Sequence, residues 1–239
     1  MTDPPYAKGK RGLIFLQRYK GRTIAVKKKN PLSSSVARMD LEAHFLQKVN
    51  ALGIGPKLHF FKDGSVGMEY IEGISFEPYI EQESREKILS VISDLLMQLH
   101  ILDQKGLTKN EMHRPIKHII VSNHRPVLID FERTKYSGNP KNVTQFLHYL
   151  SGRRVQNMLL AKGIAIQKQD MIALSGEYKK SHSLLPILAY LERGKHGNKD
   201  EQECDMADDD EKTRGKQGYG RSLAGEDVSK GCKEDEKIC

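Results

Sequence analysis

The stretch NEMHRPIKHIIVSNHRPVLIDFER, Asn110–Arg133, sets two short apolar runs among acids, bases and histidines. Ile119-Ile120-Val121 and Val127-Leu128-Ile129 are β-branched and aliphatic, and the polar segment Ser122–Pro126 between them predicts a hairpin. Glu111, His113 and His118 lead into the first strand, and Asp130 ends the second, followed by Phe131 and Glu132. A carboxylate placed directly after a buried strand, facing a polar loop that precedes the partner strand, suits a divalent ion held over a substrate. Three histidines, His113, His118 and His124, fall in the same stretch. No cysteine lies near them and their spacing matches no zinc motif, so structural histidines are the reading there.

Working outward, Ile88, Val91, Ile92, Leu95, Leu96, Leu99 and Leu102 recur at helical spacing from Ser84 to Gly106 and predict a long helix just before the central stretch. After it, Asn139-Pro140 reads as a cap with proline at the first helical position, and Val143, Phe146, Leu147 and Leu150 form an apolar face. Further helices are expected over Arg153–Lys162, Asp170–Lys180 and Ser183–Glu192.

Towards the N-terminus, Gly9-Lys10-Arg11-Gly12 precedes a hairpin of Leu13–Leu16 and Thr23–Lys27 turned at Lys20-Gly21-Arg22. Glycines let backbone N–H groups approach phosphate oxygens, and Lys10 and Arg11 add positive charge, although most such stretches are plain turns. Period-two alternation sets Ala25 and Lys27 on one face of the returning strand and Ile24 and Val26 on the other. After the polar break Pro31–Ser35, Leu41, Phe45, Val49 and Leu52 mark an amphipathic helix over Val36–Leu52. Glu42 borders its apolar stripe, free to turn inward to Lys27 or to stay solvated. Lys57–Phe61 and Val66–Ile71 then read as strands about a Lys62-Asp63-Gly64 turn, and Glu69–Gly73 closes this part.

The chain has 239 residues, 38% hydrophobic and 29% charged, ordinary for a globular protein of one or two domains. It contains no apolar run long enough to span a bilayer, and MTDPPYAKGKRG lacks the apolar core of a secretory signal, so no membrane association and a cytosolic location are expected. Cys204, Cys232 and Cys239 all lie near the C-terminus, at spacings of neither a zinc pair nor a redox dithiol. Charge is uneven: 30 bases face 18 acids before residue 195, and 9 face 13 from there on. The basic body favours an anionic partner, with nucleic acid or ribonucleoprotein among the possibilities. Residues 195–239, with an acidic block from Asp200 to Glu211 and little apolar content, are expected to be a disordered charged tail.

A glycine-containing hairpin, an Ala-x-Lys strand, a helix with an inward-capable Glu, a long helix, a polar loop, a hairpin and Asp-Phe-Glu follow one another in that order. This succession resembles the protein-kinase fold over about residues 5–150. Asn110-Glu111-Met112-His113, Pro115-x-Lys117-His118, Val127–Arg133 and Pro140–Phe146 resemble more closely the predicted archaeal serine/threonine kinases, small atypical relatives of the RIO and lipopolysaccharide-kinase groups. The fold that resemblance implies is α+β and two-lobed. Residues 1–72 would form an N-lobe of a small antiparallel sheet with one helix, residues 73–194 a mostly helical C-lobe, and 195–239 the tail.

The implied activity is transfer of the γ-phosphoryl group of ATP to a serine or threonine hydroxyl of an unidentified protein, assisted by magnesium or manganese. Gly9, Gly12, Ala25, Lys27, Glu42 and Glu69 are the implied nucleotide contacts, with Lys27 on the phosphates and Glu42 as its ion-pair partner. Asp130 and His118 take the metal positions, and His113 or Glu111 the place of the proton acceptor. Histidines stand where protein kinases carry aspartate and asparagine, at His113 and His118. Histidine can accept a proton, whereas magnesium prefers oxygen donors. A catalytically inactive nucleotide-binding module and a basic nucleic-acid-binding protein are the alternatives. The segment from Asp130 to Asn139 is too short for a long activation loop, which removes the usual platform for a peptide substrate.

Overall fold

The computed structural model describes residues 4–32 and 38–193, and the expected charged tail, with all three cysteines, lies outside them. In chain order the elements are β1 (Ala7–Lys8), β2 (Gly12–Tyr19), β3 (Arg22–Lys29), α1 (Met39–Asn50), β4 (Leu58–Lys62), β5 (Ser65–Glu69), β6 (Ile74–Ser75), α2 (Phe76–Gln82), α3 (Arg85–Gln104), β7 (Leu107–Thr108), β8 (Ile119–Ser122), β9 (Arg125–Leu128), β10 (Lys135–Tyr136), α4 (Asn142–Leu150), α5 (Arg153–Leu160), α6 (Lys168–Ser181) and α7 (Leu185–Arg193). The class is α+β, with antiparallel sheets and seven helices among the described residues.

The first sheet runs β1-β2-β3-β5-β4, and α1 packs against it through Ala43, Phe45, Leu46 and Val49. Its hairpins turn at Lys20-Gly21 and Asp63-Gly64, where both central residues have positive φ. Such a turn matches the right-handed twist of the flanking strands and favours Gly, Asn and Asp. The third hairpin, β8–β9, turns the same way at Asn123-His124. Its connection is therefore two residues long and not the polar five that the sequence suggests, since Ser122 pairs with Arg125 and Val121 with Pro126. Pro126 is accommodated because β9 is the outer strand of the sheet β6-β8-β9.

Helix α3 is the core of the remainder, with every residue of the expected stripe buried. Two helices also depart from the sequence reading. Helix α2 was not expected, because it is short and carries Pro78, yet Pro78 lies in its first turn, where no intrahelical N–H is needed. Helix α4 begins at Asn142, so Asn139-Pro140 is not its cap. The cap comes from α3 instead: Asp103 accepts bonds from the Asn142 N–H at 3.0 Å and the Val143 N–H at 3.2 Å.

Gly73 sets the approach of β6 to β8, since a Cβ there would lie 2.3 Å from the Val121 carbonyl oxygen. The contact is with backbone, which cannot rotate away. Gly73→Ala is expected to cost about 1–3 kcal/mol in urea unfolding, the range for overpacking, whereas Gly138→Ala, with open space around it, serves as a neutral control.

Candidate functional site

Alternation along β3 does what the sequence suggests: Ala25 and Lys27 face a cavity of about 460 Å³. Gly9 and Gly12 line it from the β1–β2 turn, which is closed by the Gly9 N–H bonded to the Gly12 carbonyl at 2.8 Å. Gly12 also stands close to Lys27, as a Cβ there would come within 3.1 Å of Lys27 Cε. Met68, Tyr70, Ile120 and Ile129 supply apolar wall, and Glu42, Asp130 and Glu132 the acidic end. Glu69 lines the cavity as well, but its carboxylate accepts from the Lys57 N–H at 3.1 Å.

Lys27 is the centre of the acidic end. Its Nζ donates to Glu42 Oε2 at 2.5 Å and to Asp130 Oδ1 at 3.0 Å, and lies 3.6 Å from Glu132 Oε2. Arg11 reaches Glu132 from the other side at 3.6 Å. Burial alone would push the Lys27 ammonium towards neutrality, but Glu42 and Asp130 outweigh it and hold its pKa above the usual lysine value. For Glu42 burial is the larger effect and raises the carboxyl, while Lys27 pulls it back. Asp130 is pushed up by burial and pulled further down by Lys27 and Lys109, so it remains ionised. Its side chain is 40% exposed, against 2% for Glu42 and 6% for Glu132, which makes it the accessible carboxylate of the three. Oxygens of Glu42, Asp130 and Glu132 come within 4.8 Å of one another, close enough to surround a cation.

Asp130 has φ +63°, a left-handed conformation that aspartate tolerates but does not prefer. Lys109 holds it there. This lysine is fully buried, and its Nζ donates to the Asp130 backbone carbonyl at 2.6 Å, lies 3.7 Å from Glu111 Oε2 and sits 4.8 Å from the Phe131 ring centre. Burial lowers its pKa, opposed mainly by Glu111 and Asp130. Sequence reasoning missed Lys109, because a lysine followed by Asn110 and Glu111 just after a helix end normally indicates a solvated turn.

The polar loop divides its residues. Glu111 is buried between Lys109 and Arg133 Nε, the latter at 3.8 Å, and burial raises its carboxyl above the usual range. His113 is exposed, bonds the Asn110 carbonyl at 3.1 Å, and faces a separate hollow with Thr144, Gln145 and His148. Neither residue lines the main cavity. His118 lies beside it: Nδ1 is 3.9 Å from Asp130 Oδ2 and has no hydrogen-bond partner among the described residues. His124, at the far end of β8, bonds the Tyr79 hydroxyl at 3.0 Å, so the three histidines do not converge.

Burial, reinforced by repulsion from Lys109 and Lys27, pushes His118 down to about 4, so the imidazole is neutral at pH 7. Its proton resonances are expected to titrate near pH 4. Since the folded ring binds its proton near 4 and the unfolded one near 6.5, its stabilising contribution is complete above about 6.5 and falls as the pH drops towards 4. His118→Gln is expected to flatten that limb of the stability profile.

Among the described residues no helix is long and apolar enough to cross a membrane. No protein-family model matches the chain. It is similar to the uncharacterized protein MJ1211 of Methanocaldococcus jannaschii, with 27% identity over 85 residues that span 36% of this chain and 72% of that protein.

Proposed function

We propose that the chain is an ATP-dependent phosphotransferase with a two-lobed, protein-kinase-like architecture, acting on a serine or threonine hydroxyl. The observation that carries this reading is Lys27, hydrogen-bonded to both Glu42 and Asp130 at the acidic end of a cavity edged by Gly9 and Gly12. In this reading Lys27 binds phosphate oxygens and Glu42 keeps its ammonium in place. Asp130, the most exposed of the three clustered carboxylates, holds the divalent ion, with His118 Nδ1 as a neighbouring nitrogen donor that suits manganese better than magnesium. ATP supplies the activated phosphoryl group: its bond to the ADP oxygen breaks as a bond to the acceptor oxygen forms. The hydroxyl proton passes to Glu111 once that side chain turns out of its contacts with Lys109 and Arg133 towards the cavity, which it does not line here. Exposed His113, turned to another hollow, is the weaker candidate for that role.

Incubation with γ-labelled ATP and Mg²⁺ or Mn²⁺ tests this reading. Label is expected on the protein itself or on a generic acceptor, and Asp130→Asn is expected to remove it. Transfer that survives Asp130→Asn would reject the reading. A nucleotide-dependent rise in melting temperature without any transfer would leave an inactive nucleotide-binding module.

A further inference from the structure

A second hollow, of about 670 Å³, lies between the start of α1 and the segment after Asp130-Phe131-Glu132. Arg11 and Glu132 belong to its lining and to that of the first cavity, so the two meet at the end where Lys27 and Asp130 lie. Four cations, Arg11, Arg38, Arg133 and Lys135, face one carboxylate in its wall. Arg11 and Arg133 are engaged by Glu132 and Glu111, while Arg38 and Lys135 are exposed. Arg38 occupies the N-cap position of α1, so the positive end of that helix adds to the field.

Two further observations point to a ligand, and to a peptide. Thr134, 3% exposed in the wall of the hollow, has a hydroxyl with no hydrogen-bond partner among the described residues. Among the described residues strand β10 pairs only with β7, and its two residues, Lys135 and Tyr136, are exposed, so it offers an edge to which an extended segment can add. The floor is apolar at Leu41 and Phe45, with the Phe45 and Tyr136 ring centres 5.6 Å apart. A single basic concavity with an apolar floor and a strand edge fits a short peptide better than a nucleic-acid strand, which calls for a groove with successive stacking rings.

Resting on the phosphotransferase reading, we propose that this hollow docks the acceptor: it receives an anionic side chain, a carboxylate or a phosphorylated residue, of the peptide whose hydroxyl enters the neighbouring site. It takes over the part of the peptide platform that the short segment after Asp130 cannot build.

Fluorescence anisotropy on the full chain tests the proposal with labelled peptides of one sequence around a single serine. The serine is flanked by glutamates, by a phosphoserine or by lysines, and a single-stranded RNA oligonucleotide is the fourth probe. The two acidic peptides are expected to bind about tenfold or more tightly than the lysine peptide, the scale of one well-placed charge contact. Arg38→Glu and Lys135→Glu should each weaken them by a similar factor, and Lys135→Arg should not. Equal binding of acidic and basic peptides, indifference to both charge reversals, or displacement of the acidic peptide by RNA would overturn the proposal. ATP-dependent melting shifts of the same samples separate the two levels of inference. If ATP stabilises the protein and the peptides are not discriminated, docking alone falls. If ATP has no effect and no label is transferred, the phosphotransferase reading falls, and with it the role of the hollow in acceptor docking.

Discussion

Lys27→Ala is expected to lower label transfer from ATP by about 10²–10³-fold, the scale for removing one preorganised charge from a transition state. Lys27 Nζ stands against Glu42, Asp130 and Glu132 together, so the substitution also leaves carboxylates facing one another without their shared cation. Breaking a buried pair from one side costs about 3–5 kcal/mol. Part of that cost is relieved when the buried Glu42, already pushed upward, takes a proton. The variant should therefore be more stable near pH 5 than near pH 8, since a carboxyl whose folded pKa is raised loses stability as the pH rises through it. Urea unfolding at the two pH values reads this directly, and equal stability at both would show that Lys27 does not neutralise Glu42. Glu42→Gln, which keeps a hydrogen-bonding partner for Lys27 and removes one negative charge, should lose less of both stability and transfer.

Asp103→Ala should produce a large loss of stability from outside the cavity. Its carboxylate is buried and accepts from the Asn142 N–H at 3.0 Å, the Asn142 side-chain amide at 2.7 Å, the Val143 N–H at 3.2 Å and the Tyr178 hydroxyl at 3.1 Å. Alanine leaves the Asn142 and Val143 N–H groups without an acceptor, while the Asn142 side-chain amide keeps the Leu107 carbonyl at 2.6 Å and the Tyr178 hydroxyl keeps His100 Nδ1 at 2.9 Å. A total of about 4 kcal/mol follows from unsatisfied buried donors at 1–3 kcal/mol each with partial relaxation. That corresponds to a fall in melting temperature of about 8–16 °C for a chain of this size. The effect should reach the site as well. Asn142 Oδ1 accepts from the Lys109 N–H at 2.8 Å, and Lys109 Nζ in turn holds the Asp130 carbonyl. Asp103→Asn, which keeps acceptors for part of the set, should fall between wild type and alanine. A loss below about 1 kcal/mol for Asp103→Ala would mean that α4 is capped by other groups.

Much of the cavity was legible in the sequence. Gly9, Gly12, Ala25, Lys27, Glu42, Glu69 and Asp130 all line it. Strand alternation placed Ala25 and Lys27 on one face, and the helical stripe of α1 left Glu42 at its border, able to turn in. The polar loop was legible in composition but not in geometry, because its side chains point in three directions. Glu111 turns to Lys109 and Arg133, His113 to a separate hollow, and His118 towards Asp130. Loop side chains have no period from which a direction can be read.

By itself the sequence determined the longer elements and their buried faces: the hairpin turns at Lys20-Gly21 and Asp63-Gly64, the amphipathic α1 and the fully buried stripe of α3. These are local properties, set by periods of 2 and 3.6 residues and by backbone sterics. Tertiary structure alone decided which charges meet. Lys27 joins Glu42 from 15 residues away and Asp130 from 103. Asp103 caps a helix that begins 39 residues later, overriding the local signal at Asn139-Pro140. Lys109 is fully buried because Asp130, Glu111 and the Phe131 ring surround it. The physical reason is common to all three: a charged group is held inside only where partners from distant parts of the chain offset its desolvation, and no local pattern encodes which partners arrive.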